Sequence, residues 1–180
     1  MLTARRTALL ALGAAVLLTG CWNPFSPDET NTGGDQVYHE TCDSAYKVLE
    51  NLELAYKSMD LDHYLMCFRD DFEFHLLECD YDDYNGDGIE DTYWGLDKEE
   101  QFHESLFESG DVTQVSLNLN IPASGVPYGD AMLFICDFQL KVYMVDVPGY
   151  QASGQAHFFC RQDSTDGEWY VWQWHDKSET

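Results

Sequence analysis

The chain has 180 residues, with 33 acidic against nine basic side chains and a formal net charge of −24. A surface so acidic repels nucleic acid and anionic lipid head groups, which excludes either as a partner held by charge. Aromatic residues make up 14% of the chain, too many for a disordered polypeptide, so a packed domain is expected.

Arg5 and Arg6 precede an uncharged run from Thr7 to Leu18, followed by Leu18-Thr19-Gly20-Cys21. A basic start, a short apolar run and small residues before a cut describe a secretory signal over residues 1–20. The run is shorter than the roughly 20 residues that span a bilayer as a helix. Leu-Thr-Gly-Cys resembles the lipobox of bacterial lipoproteins. The resemblance implies cleavage before Cys21, a diacylglycerol on its thiol, and a second acyl chain such as palmitate on the new amino terminus. Two chains make anchoring stable. The partner at that end is therefore a membrane, and the expected location is the cell envelope with the domain outside the cytoplasm. Trp22 stands where an Asp marks inner-membrane retention in some of these bacteria, which favours the outer membrane. Residues 21–42, with Pro24, Pro27, Gly33 and Gly34, read as a flexible tether. Residues 43–180 read as one domain large enough to bury a core.

In that domain, Ala45, Val48, Leu49, Leu52, Ala55 and Tyr56 recur at three- and four-residue steps. They predict a helix over 44–58 capped by Asp43. A short second helix follows the Asp60 cap, with Tyr64 and Phe68 turned inward. Residues 72–79 alternate as a half-buried strand. An acidic loop and a short strand near Thr92–Trp94 come next. A third helix begins at Asp97, paired with Glu100 in a capping-box-like arrangement, and ends at Gly110. Four strands complete the chain, over about 112–121, 131–146, 151–162 and 168–176, with turns at Pro122, Pro127, Gly129, Pro148, Gly149 and Gly167.

The element order resembles the nuclear transport factor 2-like superfamily, including its SnoaL-like and ketosteroid-isomerase-like members. Three segments carry the resemblance: Leu54–Asp62 at the first-helix exit, Phe68-Arg69-Asp70-Asp71-Phe72-Glu73-Phe74 at the entry to the first strand, and Trp169–Asp176 as a last strand rich in Trp. It implies an α+β fold: a cone in which a curved mixed β-sheet wraps around three helices, with a pocket at the wide end.

Members that are enzymes keep an Asp or His inside the cone. Strand parity places Met132, Phe134, Cys136, Phe138, Leu140 and Val142 on the inner face. The same parity turns Asp137 and His157 outward, onto a face that could serve a homodimer. In the last strand it puts Tyr170, Trp172 and Trp174 inside. With Phe138 these either hold a small apolar ligand or fill the core. A hairpin centred on Pro148 would set Cys136 opposite Cys160, as a disulfide or as two packed thiols. Pairing among Cys42, Cys67 and Cys79 stays open, and the odd count of five leaves one thiol over in a monomer.

The sharpest chemical signal is Asp83-Tyr84-Asn85-Gly86-Asp87-Gly88-Ile89-Glu90-Asp91. Asp83, Asn85 and Asp87 occupy the alternate oxygen positions of a calcium loop. Gly88 takes the turn, the Ile89 carbonyl follows, and Asp91 closes the run. It resembles thrombospondin type 3 and dockerin-like loops. Trp94 replaces the bidentate carboxylate at the twelfth position. The competing reading is a metal-free acidic hairpin loop built on Asn-Gly and Asp-Gly turns.

Two functional expectations follow. The first is a lipid-anchored envelope protein whose non-catalytic, calcium-stabilised cone binds an unidentified protein or small apolar ligand. The second is a small-molecule enzyme of the isomerase or dehydratase kind. A buried carboxylate or histidine deep in an open cone would favour the second.

Overall fold

The computed structural model describes residues 37–178. Cys21, the signal segment and most of the tether lie outside the described residues. Helix α1 spans Ala45–Ser58 and α2 spans Leu61–Leu65. Strand β1 is Glu73–His75, a 3-10 turn covers Glu78–Asp80, and β2 is Tyr93–Gly95. Helix α3 spans Leu96–Phe107, followed by β3 Val112–Asn120, β4 Val126–Tyr128, β5 Ala131–Met144, β6 Tyr150–Gln162 and β7 Trp169–Ser178.

The strands form one sheet in the order β2-β1-β7-β6-β5-β3, with β4 paired to β5. Among the described strands only β1 with β7 is parallel; the other pairs are antiparallel. The curved, unclosed sheet wraps around the helices, as expected. Val48, Leu49 and Leu52 of α1 are fully buried, each contributing about 1.5–3 kcal/mol by leaving water. They meet Val115 and Leu117 of β3, Cys136 of β5, Phe158 of β6 and Val171 of β7 in one core.

Caps follow the expectation in part. Asp60 accepts the His63 amide and opens α2. At α1 the N-cap is Ser44, with no side-chain cap, and Asp43 instead pairs with Lys47 at 2.9 Å. Gly95 is the N-cap of α3, so Asp97 sits inside its first turn. Residues 37–42, within the stretch read as a tether, lie against the domain. The His39 amide donates to Asn51 Oδ1 at 2.8 Å, and Asn51 donates back to the His39 carbonyl. Strand β4 falls where the sequence showed only turn residues.

Two corrections concern register. Val142 pairs with Tyr150, which centres the β5–β6 turn on Asp146 rather than Pro148. Asp146 adopts φ 59, a left-handed conformation that Asp tolerates better than most residues. A Cβ on Gly149 would meet the Val142 carbonyl oxygen at 1.9 Å, so only glycine lets the chain pass there. In this register Cys136 lies opposite Ala156 and Cys160 opposite Met132. The two cysteines share the inner face but stand about 13 Å apart along the strands, so they are not partners.

The second correction is a bulge. Phe159 pairs with Gln173 and Cys160 with Val171, leaving Trp172 as the extra residue. An extra residue reverses parity beyond it. Trp174 therefore points inward. Tyr170 turns out, its hydroxyl 3.3 Å from Asp71. Trp172 stacks under the Arg161 guanidinium, 3.2 Å from its ring centre.

Candidate functional site

The wide end of the cone holds a cavity of about 150 Å³. Phe74, Trp94, Phe102, Phe138 and Trp174 give it aromatic walls, and Leu117, Leu140 and Ala152 complete the apolar lining. Of the four expected pocket residues, Phe138 and Trp174 line it, whereas Tyr170 and Trp172 do not.

Four polar groups also reach the cavity: Tyr56, Glu99, His103 and Asp176. Glu99 and His103 lie one turn apart on α3, so both face the core. Glu99 is 1% exposed. A carboxylate so buried requires partners, and it has them: the Tyr64 hydroxyl donates to Oε1, and the Trp94 indole N–H donates to Oε2 at 2.6 Å. His103 Nδ1 lies 3.1 Å from the Glu99 carbonyl oxygen. A carbonyl can only accept, so Nδ1 carries the proton. Bare Nε2 then accepts from the Tyr56 hydroxyl at 2.6 Å. Burial lowers the His103 pKa, against the opposing pull of Glu99, so the ring is neutral at pH 7. Burial likewise pushes the Tyr56 and Tyr64 hydroxyls up, with the Glu99 charge adding to it, and both stay protonated.

Asp176 completes the set. It lies opposite Ala156, with the inward side chains of β6 and β7. Its carboxylate accepts from the Ser178 amide at 2.7 Å and the Ser178 hydroxyl at 3.2 Å. Unlike Glu99 it is only partly buried, which makes it the cavity carboxylate free to meet a ligand. Parity does turn Asp137 out, where it meets Gln155 at 3.2 Å, and His157 sits on the same outer face. Strand parity says nothing of Glu99 and His103, which stand on a helix; their four-residue spacing with Phe107 traces a buried stripe.

The acidic loop closes on itself. Asp83 accepts the amides of Gly86, Asp87 and Gly88 at 2.7–3.0 Å. Asp91 accepts the amides of Tyr84 and Asn85 and the Asn85 side chain. Asp87 accepts the Ile89 amide at 2.9 Å. Gly86 and Gly88 take φ 79 and 85, which lets the amides turn inward. Among the described residues no three His, Cys, Asp or Glu side chains come together as a metal cage. Trp94, at the twelfth position, instead joins loop to cavity: its ring meets Tyr84 edge-on at 5.4 Å, and its N–H holds Glu99.

No family model matches the chain, and no curated protein matches it. Solved structures do. A nuclear transport factor 2-like superfamily protein from Salmonella enterica serovar Typhimurium aligns with a TM-score of 0.52 at 12% identity, over 74% of this chain and 85% of that one. A ketosteroid isomerase-like protein from Erwinia carotovora atroseptica gives 0.53 at 15%, over 77% and 95%. A scytalone dehydratase-like protein from Novosphingobium aromaticivorans gives 0.55 at 13%, over 75% and 81%. At these identities the likeness concerns the fold, and this chain has the nuclear transport factor 2-like fold.

Proposed function

We propose that this chain is a lipid-anchored envelope protein whose cone binds one small, ring-sized, largely apolar molecule bearing a hydroxyl or keto group. The observation that carries the reading is an aromatic cavity with Asp176 and the Tyr56–His103 pair set into its wall. A cavity near 150 Å³ is of a size that takes benzene. It is smaller than the roughly 300–1,000 Å³ of drug-sized sites, which argues for a single ring. Phenol is the simplest probe, and calorimetry should register its binding. Ala152→Leu fills the space beside Leu140 and should abolish the heat while leaving the fold intact. Equal binding by the variant would sink the cavity as the site.

A second reading, enzymatic isomerisation or dehydration, is favoured by the neutral His103 and the partly open Asp176. In it Asp176 takes a proton from the bound molecule, and the Tyr56 hydroxyl turns its single proton away from His103 Nε2 to the oxygen on which charge develops. Asp176→Asn would then remove turnover while keeping phenol binding.

The anchor is lipid on Cys21, which fatty-acid labelling of cells tests: a Cys21→Ser variant that still labels would refute it. Asp83, Asn85, Asp87, the Ile89 carbonyl and Asp91 are proposed as a calcium site, supported by the ligand spacing. The outer sheet face, with Ile135 and Tyr128 exposed, is proposed as the surface for a second copy of this chain. Light scattering checks this, and an Ile135→Lys variant as dimeric as the parent would exclude it.

A further inference from the structure

Two cysteines line a second cavity, away from the aromatic one. The Trp169 amide donates to the Cys42 carbonyl at 2.8 Å, and the Val171 amide donates to the Cys67 carbonyl at 2.9 Å. Amides two residues apart on an extended strand are about 6.6 Å apart. Strand β7 thus holds the two cysteine carbonyls side by side on one edge, where a disulfide would have to span about 4.4–6.8 Å between Cα atoms. Both side chains line one cavity of about 250 Å³, together with Tyr38, Asn51, His63 and Glu168. Only weak contacts hold the sulfurs: Asn51 donates to Cys42 Sγ at 3.4 Å, and Cys67 Sγ donates to the His63 and Val48 carbonyls at 3.4 and 3.8 Å. Rotation about χ1 releases all three.

We propose that Cys42 and Cys67 are a disulfide pair that fastens the segment entering α1 to the residues leaving α2. Both are free cysteines in the structure. The bond forms by exchange with a small disulfide such as glutathione disulfide. One cysteine thiolate attacks it and expels a glutathione thiolate; the second cysteine thiolate then displaces the other glutathione. Two protein thiols are oxidised to one disulfide, and one glutathione disulfide is reduced to two glutathiones. Burial raises both thiol pKa values, so the folded thiols are slow to react and the bond forms as the chain folds. The other described cysteines are placed otherwise. Cys136 and Cys160 stand opposite Ala156 and Met132, and Cys79 is exposed on the 3-10 turn.

The test needs no assumption about export. The full chain is refolded in a glutathione redox buffer, alkylated in denaturant without reductant, and digested with trypsin. Cleavage after Lys47 and Lys57 separates the two cysteines. The expected product is a linked pair joining the peptide that ends at Lys47 to the peptide Ser58–Arg69, with Cys21 on that first peptide alkylated, as are Cys136 and Cys160. Full alkylation of Cys42 and Cys67, or any other partner for Cys67, Cys160 included, would overturn the pairing. Reduction should lower the Tm of the parent by about 5–10 °C and leave Cys42→Ser unmoved. An equal drop in that variant would also overturn it.

Discussion

Glu99 and His103 show what a single buried position demands. The Glu99 carboxylate satisfies the Tyr64 hydroxyl and the Trp94 indole at once, joining α2, β2 and α3. Glu99→Ala strands both donors in a dry site, and each lost partner costs about 1–3 kcal/mol. We expect a loss of about 3–5 kcal/mol in urea unfolding, with Tyr64→Phe largely compensated in the Glu99→Ala background. A loss below 1 kcal/mol would mean that water replaces the carboxylate.

A second residue-scale prediction concerns the outer face. His75, His175 and His157 lie in one row across β1, β7 and β6, with the His75 and His175 rings 4.1 Å apart. Burial, then His75, Lys177 and His157, push the His175 pKa down to about 4, against the pull of Glu73. A pKa below the unfolded value of about 6.5 means that the unfolded chain binds more protons between the two. The stability that neutral His175 contributes is therefore present above pH 6.5 and lost as pH falls toward 4. Relief of repulsion among so many acids acts the other way, so the quantity to compare is a difference. Between pH 6.5 and 4 the Tm of the parent should fall relative to that of His175→Gln. A parent that gains on the variant over that window would contradict the assignment.

At the scale of elements, the legible parts were those with strong periodicity. The apolar stripe of α1 and the strict alternation of β5 translate directly into faces, because packing rewards the same period the sequence carries. What escaped depended on single residues that break a period. The turn centred on Asp146, rather than on the more obvious Pro148-Gly149, moved the β5–β6 register and undid the Cys136–Cys160 pairing. The bulge at Trp172 reversed parity, and so Tyr170 and Trp172 left the expected pocket. Neither a left-handed Asp nor a bulge leaves a pattern in one sequence. The polar floor of the site escaped for another reason: a charged residue on a helix is read as solvent-facing unless its partners, here from α2 and β2, are known.

The acidic loop yields a prediction at this scale too. Its carboxylates spend themselves on amides, and calcium at roughly 0.1–1 mM, the range of extracellular modules, should compete for their free lone pairs. Thermal scans should show a calcium-dependent rise in Tm that Asp87→Ala removes. Because Trp94 links the loop to Glu99, the rise should accompany a change in Trp emission. No rise at millimolar calcium would leave the loop as a self-closed hairpin.

Residues 37–178 fold as a curved sheet wrapped around helices, with an aromatic cavity of about 150 Å³ between them. Aromatic side chains converge from α3, β1, β2, β5 and β7, yet leave room for a ring beside Asp176. The central claim is that this space is a binding site rather than a packing defect, and indole N–H signals read it most directly, since Trp94 and Trp174 line the cavity while Trp172 stacks on the outside under Arg161. In an NMR titration with phenol, the indole N–H signals of Trp94 and Trp174 should shift together and saturate, and that of Trp172 should stay in place. Unmoved Trp94 and Trp174 signals at millimolar phenol, or shifts centred on Trp172, would contradict the account.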